Sequence, residues 1–166
     1  MIRWPGKIEP KSVSNEIVHI VDLLPTLSSA AGYEVPTDRM IDGVDQMPLF
    51  TGKTDNSARE GFPAYNGDNM QSYKWRNFKV HYWDQPSMFS SQTQMNFPQI
   101  HDLLKDPKEL RGLYGGQGNS ATGTEQLTWV LPAVTDEILK FQETLRKEAP
   151  VPFPAPEPFK PESRSE

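Results

Sequence analysis

Apolar residues crowd into one short segment near the start of the chain, between Val18 and Gly32. Asp22 stands at the front of this segment, where it can accept hydrogen bonds from the unpaired amides of a first helical turn. Pro25 falls within that turn, where its missing amide costs nothing, and Gly32 supplies a left-handed end. The pattern predicts a buried helix, apolar almost all round and covered by something larger. Its apolar positions are Leu23, Leu24, Leu27, Ala30 and Ala31.

Less regular segments flank this helix. Residues 1–8 are predicted to form a short strand that ends in the Pro5-Gly6 turn, and residues 16–19 a second short strand. Residues 33–60 contain several glycines and prolines and few periodic apolar positions, which predicts an extended linker with one helical turn at 46–50. Such a long irregular piece needs a surface to pack against.

An alternating pattern begins at Gly61. Residues 61–65, 70–75 and 78–83 are separated by short polar turns and predict an antiparallel sheet. A polar loop over 85–96 and a fourth strand at 99–104 are expected to follow. In the third strand one face carries Phe78, Val80 and Tyr82, and the other carries Lys79, His81 and Trp83. We therefore expect one side of the sheet to be covered.

The last periodic segment predicts a helix that begins at Pro132 and covers this sheet. Its single apolar stripe consists of Val134, Ile138, Phe141 and Leu145. Residues 114–124 are rich in glycine and serine and predict a mobile loop, and proline recurs over 150–161, which predicts an extended tail without a core.

Composition limits the classes of function. The chain has 166 residues, enough for one core, but only 36% are hydrophobic and 16 are proline. A net charge of −5 without a Lys/Arg cluster argues against nucleic acid as a partner. The absence of cysteine excludes a disulfide framework and a thiolate zinc site. No apolar run approaches the roughly 18–20 residues needed to span a membrane, so we expect no membrane partner. The first residues do not have the pattern of a signal peptide.

Several short segments occur in the order found in sulfatases of the arylsulfatase type. They are Arg3 to Ile8, Ile20 to Leu27, Val35-Pro36, Asp42 to Gly52, Lys74 to Lys79, Gln99 to Glu109 and Trp129 to Pro132. Over roughly residues 2–160, the chain thus resembles the C-terminal part of a sulfatase of the alkaline phosphatase-like superfamily.

The resemblance implies an α+β fold: a remnant strand and helix of the large α/β domain, then a small antiparallel sheet packed by a C-terminal helix. The implied divisions are 1–58 for the remnant and linker, 59–149 for the small subdomain, and 150–166 for the proline-rich tail. It leaves the compartment open, although a parent sulfatase would be periplasmic or secreted.

Sulfatases of this family use a formylglycine, made from the Cys or Ser of a Cys/Ser-x-Pro-x-Arg motif, beside calcium or another divalent metal. This chain has no cysteine, and none of its serines is followed two places on by proline. The resemblance therefore implies that the catalytic residues and metal ligands lie upstream. We expect no catalytic residue, metal ligand or cofactor in this chain, and a sulfate ester as partner only together with the missing N-terminal domain.

A local basic group that could meet a sulfate or an anionic sugar consists of Lys74, Arg76, Lys79 and His81. The alternative is a solvated sheet face. Trp75 could stack on a sugar ring, although core packing is the more common role of such a residue. The substrate-binding residues that we predict are Lys74, Trp75 and His81.

Three other polar residues have simpler interpretations. His19 stands among apolar neighbours and is expected to be a hydrogen-bonded histidine beside the core rather than a ligand. Asp42 and Asp45 flank Gly43 and could offer oxygens to calcium. Two carboxylates at such a position are more often turn residues that bond local amides, so we predict no metal site.

These observations predict a C-terminal sulfatase fragment that completes the fold, forms one wall of the substrate cleft and is inactive alone. A self-contained module that binds a carbohydrate or a protein is an alternative. A fragment of a phosphoesterase of the same superfamily is another, since its terminal segments look alike. Without the large sheet, the apolar helix would be partly exposed and self-association would follow.

Overall fold

The computed structural model describes residues 1–85, 87, 89–109 and 127–148. A 3-10 turn, Ile20–Asp22, leads into helix α1, and a short helix α2 follows. Four strands and a long helix complete the described elements. In chain order the elements are α1 (Leu23–Ala31), α2 (Met47–Phe50), β1 (Gly61–Asn66), β2 (Asn69–Trp75), β3 (Phe78–Asp84), β4 (Thr93–Asp102) and α3 (Val130–Lys147). None of these helices is both long and apolar enough to cross a membrane.

The four strands form one antiparallel meander in the order β1-β2-β3-β4. Tyr73 pairs with Val80, and Val80 pairs with Ile100, so these three side chains lie on one face. The register shifts once within β1–β2 and once within β3–β4. The predicted antiparallel sheet is thus confirmed.

Helix α3 packs against one face of this sheet and forms the core with it. Val130 and Val134 are fully buried, and Ile138 lies one turn further along the same stripe. The strands contribute Tyr73, Trp75, Val80 and Ile100. Each aliphatic side chain buried in this way stabilises the fold by about 1.5–3 kcal/mol. The predicted role of the C-terminal helix as a cover is confirmed.

Helix α1 ends where the sequence predicts, because Gly32 adopts a left-handed conformation with φ of 75° and its amide bonds back to the last turn. Its outward side is open. Leu23, Leu24 and Leu27 are 43%, 53% and 63% exposed. These leucines are partly exposed, as expected for a helix without a larger partner. The predicted burial of the helix is not found within this chain.

Asp22 precedes α1 as predicted, but its carboxylate does not bond the amides of that helix. It accepts a hydrogen bond from the amide of His19 and caps the preceding 3-10 turn instead. The predicted hydrogen-bond partners of the Asp22 carboxylate were therefore wrong, because a buried cation and loop amides bond to its oxygens instead.

Two predicted strands, at 1–8 and 16–19, are absent. Within the described ranges the strands of the single sheet pair only with one another, so neither segment has a neighbouring strand to pair with. The Pro5-Gly6 turn does form, with the amides of Lys7 and Ile8 bonded to the carbonyl of Trp4.

Two element boundaries differ from the prediction. Strand β4 begins at Thr93 rather than at residue 99, because its polar first half pairs with Trp83 and Asp84 of β3 without needing an apolar face. Helix α3 begins at Val130, so Pro132 falls inside its first turn. The predicted mobile loop at 114–124 and the extended tail at 150–161 lie outside the described residues.

Candidate functional site

The face of the sheet opposite α3 carries most of the basic side chains that the sequence singled out. Lys74 pairs with Lys79 across β2 and β3, and Lys79 pairs with His101 across β3 and β4. His81 lies on the same face, two residues beyond Lys79. We call this surface, made of Lys74, Lys79, His81 and His101, the polar face.

Glu109 reaches this face from the segment that follows β4. Its carboxylate accepts two hydrogen bonds from Lys79 Nζ, at 2.9 and 3.0 Å, and lies 2.5 Å from His81 Nε2. Burial opposes ionisation of Glu109, but the bonds from Lys79 and His81 outweigh it and hold the pKa of the carboxyl below its ordinary value. The backbone of Glu109 is left-handed, with φ of 54°, a conformation that non-glycine residues adopt only when their contacts compensate.

His81 and His101 lie edge to face, with 5.4 Å between ring centroids. Burial lowers the pKa of His81 even though Glu109 partly opposes that effect. The lowered pKa favours the neutral imidazole, in which Nε2–H donates a hydrogen bond to the carboxylate of Glu109. His101 is only 3% exposed, and its Nδ1 lies 3.3 Å from the Asp106 carboxylate.

Lys74 has a different environment from Lys79. Its ammonium donates to the backbone carbonyl of Arg76 at 2.7 Å, and no carboxylate pairs with it among the residues that the structure describes. Burial lowers the pKa of Lys74, and the nearby charge of Lys79 lowers it further. The charge of Glu109 partly opposes these effects, so Lys74 is a half-buried cation near a carboxylate that it does not contact.

Trp75 lies on the opposite side of the sheet from Lys74 and His81. It is 7% exposed, belongs to the core and stacks with Phe78 at a centroid distance of 6.2 Å. Its indole N–H donates to Glu60, which also pairs with Arg76. The structure therefore brings two of the three predicted substrate-binding residues together on the polar face and places Trp75 beneath α3.

A second cluster of charge joins the N-terminal region to the sheet. The Asp22 carboxylate, fully buried, accepts hydrogen bonds from Arg59 Nη2 at 2.6 Å and from Arg59 Nε at 3.0 Å. The amides of His19 and Val44 donate to its two oxygens at 2.9 and 3.0 Å. Burial opposes ionisation of Asp22, but Arg59 and these amides outweigh it and lower its pKa.

Uncharged side chains extend this cluster. Gln46, 1% exposed, donates from its backbone amide to Thr26 and from its side chain to Ser57. We call the whole set the Asp22 network: Asp22, Thr26, Gln46, Ser57 and Arg59. It ties α1, the start of α2 and the segment before β1 to one another. Sequence reasoning missed it, because 37 residues separate the two charged partners; the only hint was a carboxylate inside an apolar run.

The formylglycine and calcium that the sulfatase resemblance implies do not fit the residues present. The sequence has neither cysteine nor a Ser-x-Pro motif. Nowhere in the described ranges do three or more His, Asp or Glu side chains converge as metal ligands. Asp45 instead accepts a hydrogen bond from the amide of Met47 at 2.8 Å, the local role of a turn residue. We therefore derive no catalytic step from this chain.

Two clefts lie away from the polar face. One, of about 470 Å³, opens between β1 and α3 and includes Arg59, Phe62 and Phe141 in its lining. The other, of about 560 Å³, lies between the N-terminal turn and α2. Neither cleft is lined by Lys74, Trp75 or His81.

Residues 1–134 match the model of a protein family described as N-sulphoglucosamine sulphohydrolase, C-terminal. The chain belongs to this sulfatase family. Mouse (Mus musculus) steryl-sulfatase is 32% identical over an alignment of 135 residues, which covers 68% of this chain and 22% of the relative. Dog (Canis lupus familiaris) N-acetylgalactosamine-6-sulfatase is 32% identical over 165 residues, which covers 86% of this chain and 30% of the relative.

The fold is shared with solved sulfatases. The PsFucS1 sulfatase from Pseudoalteromonas sp. superposes with a TM-score of 0.75 at 21% identity, over 90% of this chain and 30% of that protein. The α+β arrangement is thus the C-terminal part of the alkaline phosphatase-like sulfatase fold, which confirms the predicted family and fold class. The chain spans less than a third of the length of these relatives.

Proposed function

We propose that this sulfatase C-terminal segment completes the fold of a sulfate ester hydrolase and forms one wall of its substrate cleft, without hydrolysing anything alone. The observation that carries the proposal is the match of residues 1–134 to the C-terminal family in a chain without a formylglycine motif. In the whole enzyme, calcium or another divalent metal and formylglycine would belong to the remaining part.

Two surfaces support the two halves of this proposal. The outward side of α1 exposes three leucines, and an apolar surface of this kind fits the large domain that the fold implies. The polar face offers Lys74 to an anionic substrate, with His81 beside it on the same face and hydrogen-bonded to Glu109. Trp75 supports β2 from the core and receives no substrate contact in this proposal.

We expect the isolated chain to self-associate, because the leucines of α1 are uncovered. A self-contained binding module would instead stay monomeric, so sedimentation of the purified chain separates the two functions. The family match favours sulfatase over phosphoesterase chemistry for the whole enzyme.

The direct test is an assay of the purified chain with an aryl sulfate and an aryl phosphate, each with and without calcium. We expect no turnover of either ester above the uncatalysed rate. Turnover that follows the chain through purification would overturn the proposal.

A further inference from the structure

The two lysines at the centre of the polar face are directly opposite each other. Lys74 on β2 and Lys79 on β3 form a cross-strand pair in the antiparallel register. Like charges in this position destabilise a sheet, because the side chains of an opposed pair lie close together. This pair of like charges lies at a half-buried site rather than on a fully solvated edge of the sheet.

Within the described part of the chain, Lys79 contacts a carboxylate and Lys74 does not. Glu109 holds Lys79 with two hydrogen bonds, and the same carboxylate accepts from His81. Among the described residues, the ammonium of Lys74 donates to one backbone carbonyl, that of Arg76. A carbonyl accepts a hydrogen bond but carries no full charge, so Lys74 has no direct ion pair among the described residues, and the charge of Glu109 reaches it only from a distance.

We propose that Lys74, assisted by Lys79, binds an oxyanion of the substrate other than the ester that is cleaved, such as a second sulfate or a carboxylate. The role of this group as part of a substrate rests on the proposed function. The site itself requires only that a small oxyanion bind where Lys74 and Lys79 face each other.

The burial of Lys74 strengthens this assignment. Loss of water around the ammonium and the charge of Lys79 both lower the pKa of Lys74. The charge of Glu109 partly opposes them. An anion bound beside the ammonium would raise the pKa of Lys74 further, because an opposite charge favours the protonated lysine. Arg76, next in the chain beyond Trp75, is already occupied by Glu60 at 3.0 Å and does not compete for the same anion.

The test uses the full chain labelled with ¹³C at lysine and followed by NMR as sodium sulfate is added, with sodium chloride keeping the ionic strength constant. We expect the Lys74 Cε signal to shift and saturate and the pKa of Lys74 to rise. Lys105 serves as the internal control, since its side chain is 85% exposed. A Lys74 signal that moves no more than that of Lys105 would overturn the proposal.

Four variants sharpen the result. Lys74→Met should weaken sulfate binding by about tenfold through loss of one charge-assisted bond, whereas Lys105→Met should leave it unchanged. Glu109→Gln should strengthen it, because Lys79 is released toward the anion. Circular dichroism checks that each variant is folded, and Lys74→Arg, which keeps the cation, should retain binding. Equal sulfate affinity in the Met and Arg variants at position 74 would contradict the proposal.

A parallel titration with sodium acetate distinguishes the two sources of the oxyanion. Saturation by sulfate alone assigns a second sulfate, and saturation by acetate as well assigns a carboxylate too. Because binding is measured on this chain without catalysis, failure of the anion site and failure of the proposed function give separate results.

Discussion

The Asp22 network and the polar face contain the same kinds of charged group but differ in how completely those groups are paired. The buried Asp22 carboxylate is surrounded by Arg59 and by backbone amides. On the polar face, Glu109 serves both Lys79 and His81, and Lys74 has no carboxylate among the described residues. Complete pairing inside the protein indicates a structural role, whereas an unbalanced charge at a half-buried surface indicates a binding role.

The largest effect expected from this comparison comes from Asp22→Ala. It leaves the Arg59 guanidinium buried without its partner, which typically costs about 3–5 kcal/mol. Urea unfolding followed by circular dichroism should show a corresponding loss in the free energy of unfolding. Asp38→Ala removes an exposed ion pair with Arg39 and serves as the matched control, with an expected cost far below that of Asp22→Ala because water screens the pair. Equal costs for the two variants would remove the distinction between the two regions.

Acid should also act on the Asp22 network. The pKa of Asp22 lies below its ordinary value of 3.8 in the folded chain. Its stabilising contribution is therefore fully present above that value and is lost as the pH falls through the lower, folded pKa. We expect the thermal midpoint to fall in this range. Asp22→Asn should show a flatter dependence there, and an unchanged dependence would contradict the role given to Asp22.

Replacing the central carboxylate of the polar face should matter less for stability. Glu109→Gln keeps the shape of the side chain and removes one charge from a partly exposed pair, so the expected cost is about 1 kcal/mol or less. The same urea experiment measures it. A loss as large as that of Asp22→Ala would make the polar face a second structural network.

The smallest expected effect concerns His81. Burial places its pKa below the ordinary value of 6.5, and Glu109 partly opposes that shift. NMR titration of the imidazole Cε1–H should give a midpoint below that of the urea-unfolded chain, and Glu109→Gln should lower it further. A midpoint that rises in the variant would show that Glu109 does not favour the protonated imidazole.

The sequence predicted those elements whose signal is local. Alternation of apolar residues defined β2 and β3, and Gly32 defined the end of α1. The N-terminal strands failed because strand formation depends on a partner, which a local pattern cannot reveal. The first half of β4 was missed because its pairing needs backbone bonds and no apolar alternation.

The candidate site was predictable only in part. Lys74 and His81 were found because a strand places alternate residues on one face. Their environments were not, since Glu109 comes from a segment 28 residues beyond His81. The core position of Trp75 depends on which face α3 covers, and a single strand does not reveal that. The pairing of Asp22 with Arg59 likewise depends on tertiary structure.

The measurement that tests the central claim most directly compares three proteins in one sulfate ester assay. They are this chain, a sulfatase of the same family without its C-terminal segment, and that truncated sulfatase with this chain fused in place of the missing segment. We predict turnover by the fusion alone, since one part supplies the chemistry and the other completes the fold and the cleft. Turnover by this chain alone, or a fusion that folds cooperatively yet does not hydrolyse the ester, would contradict the account.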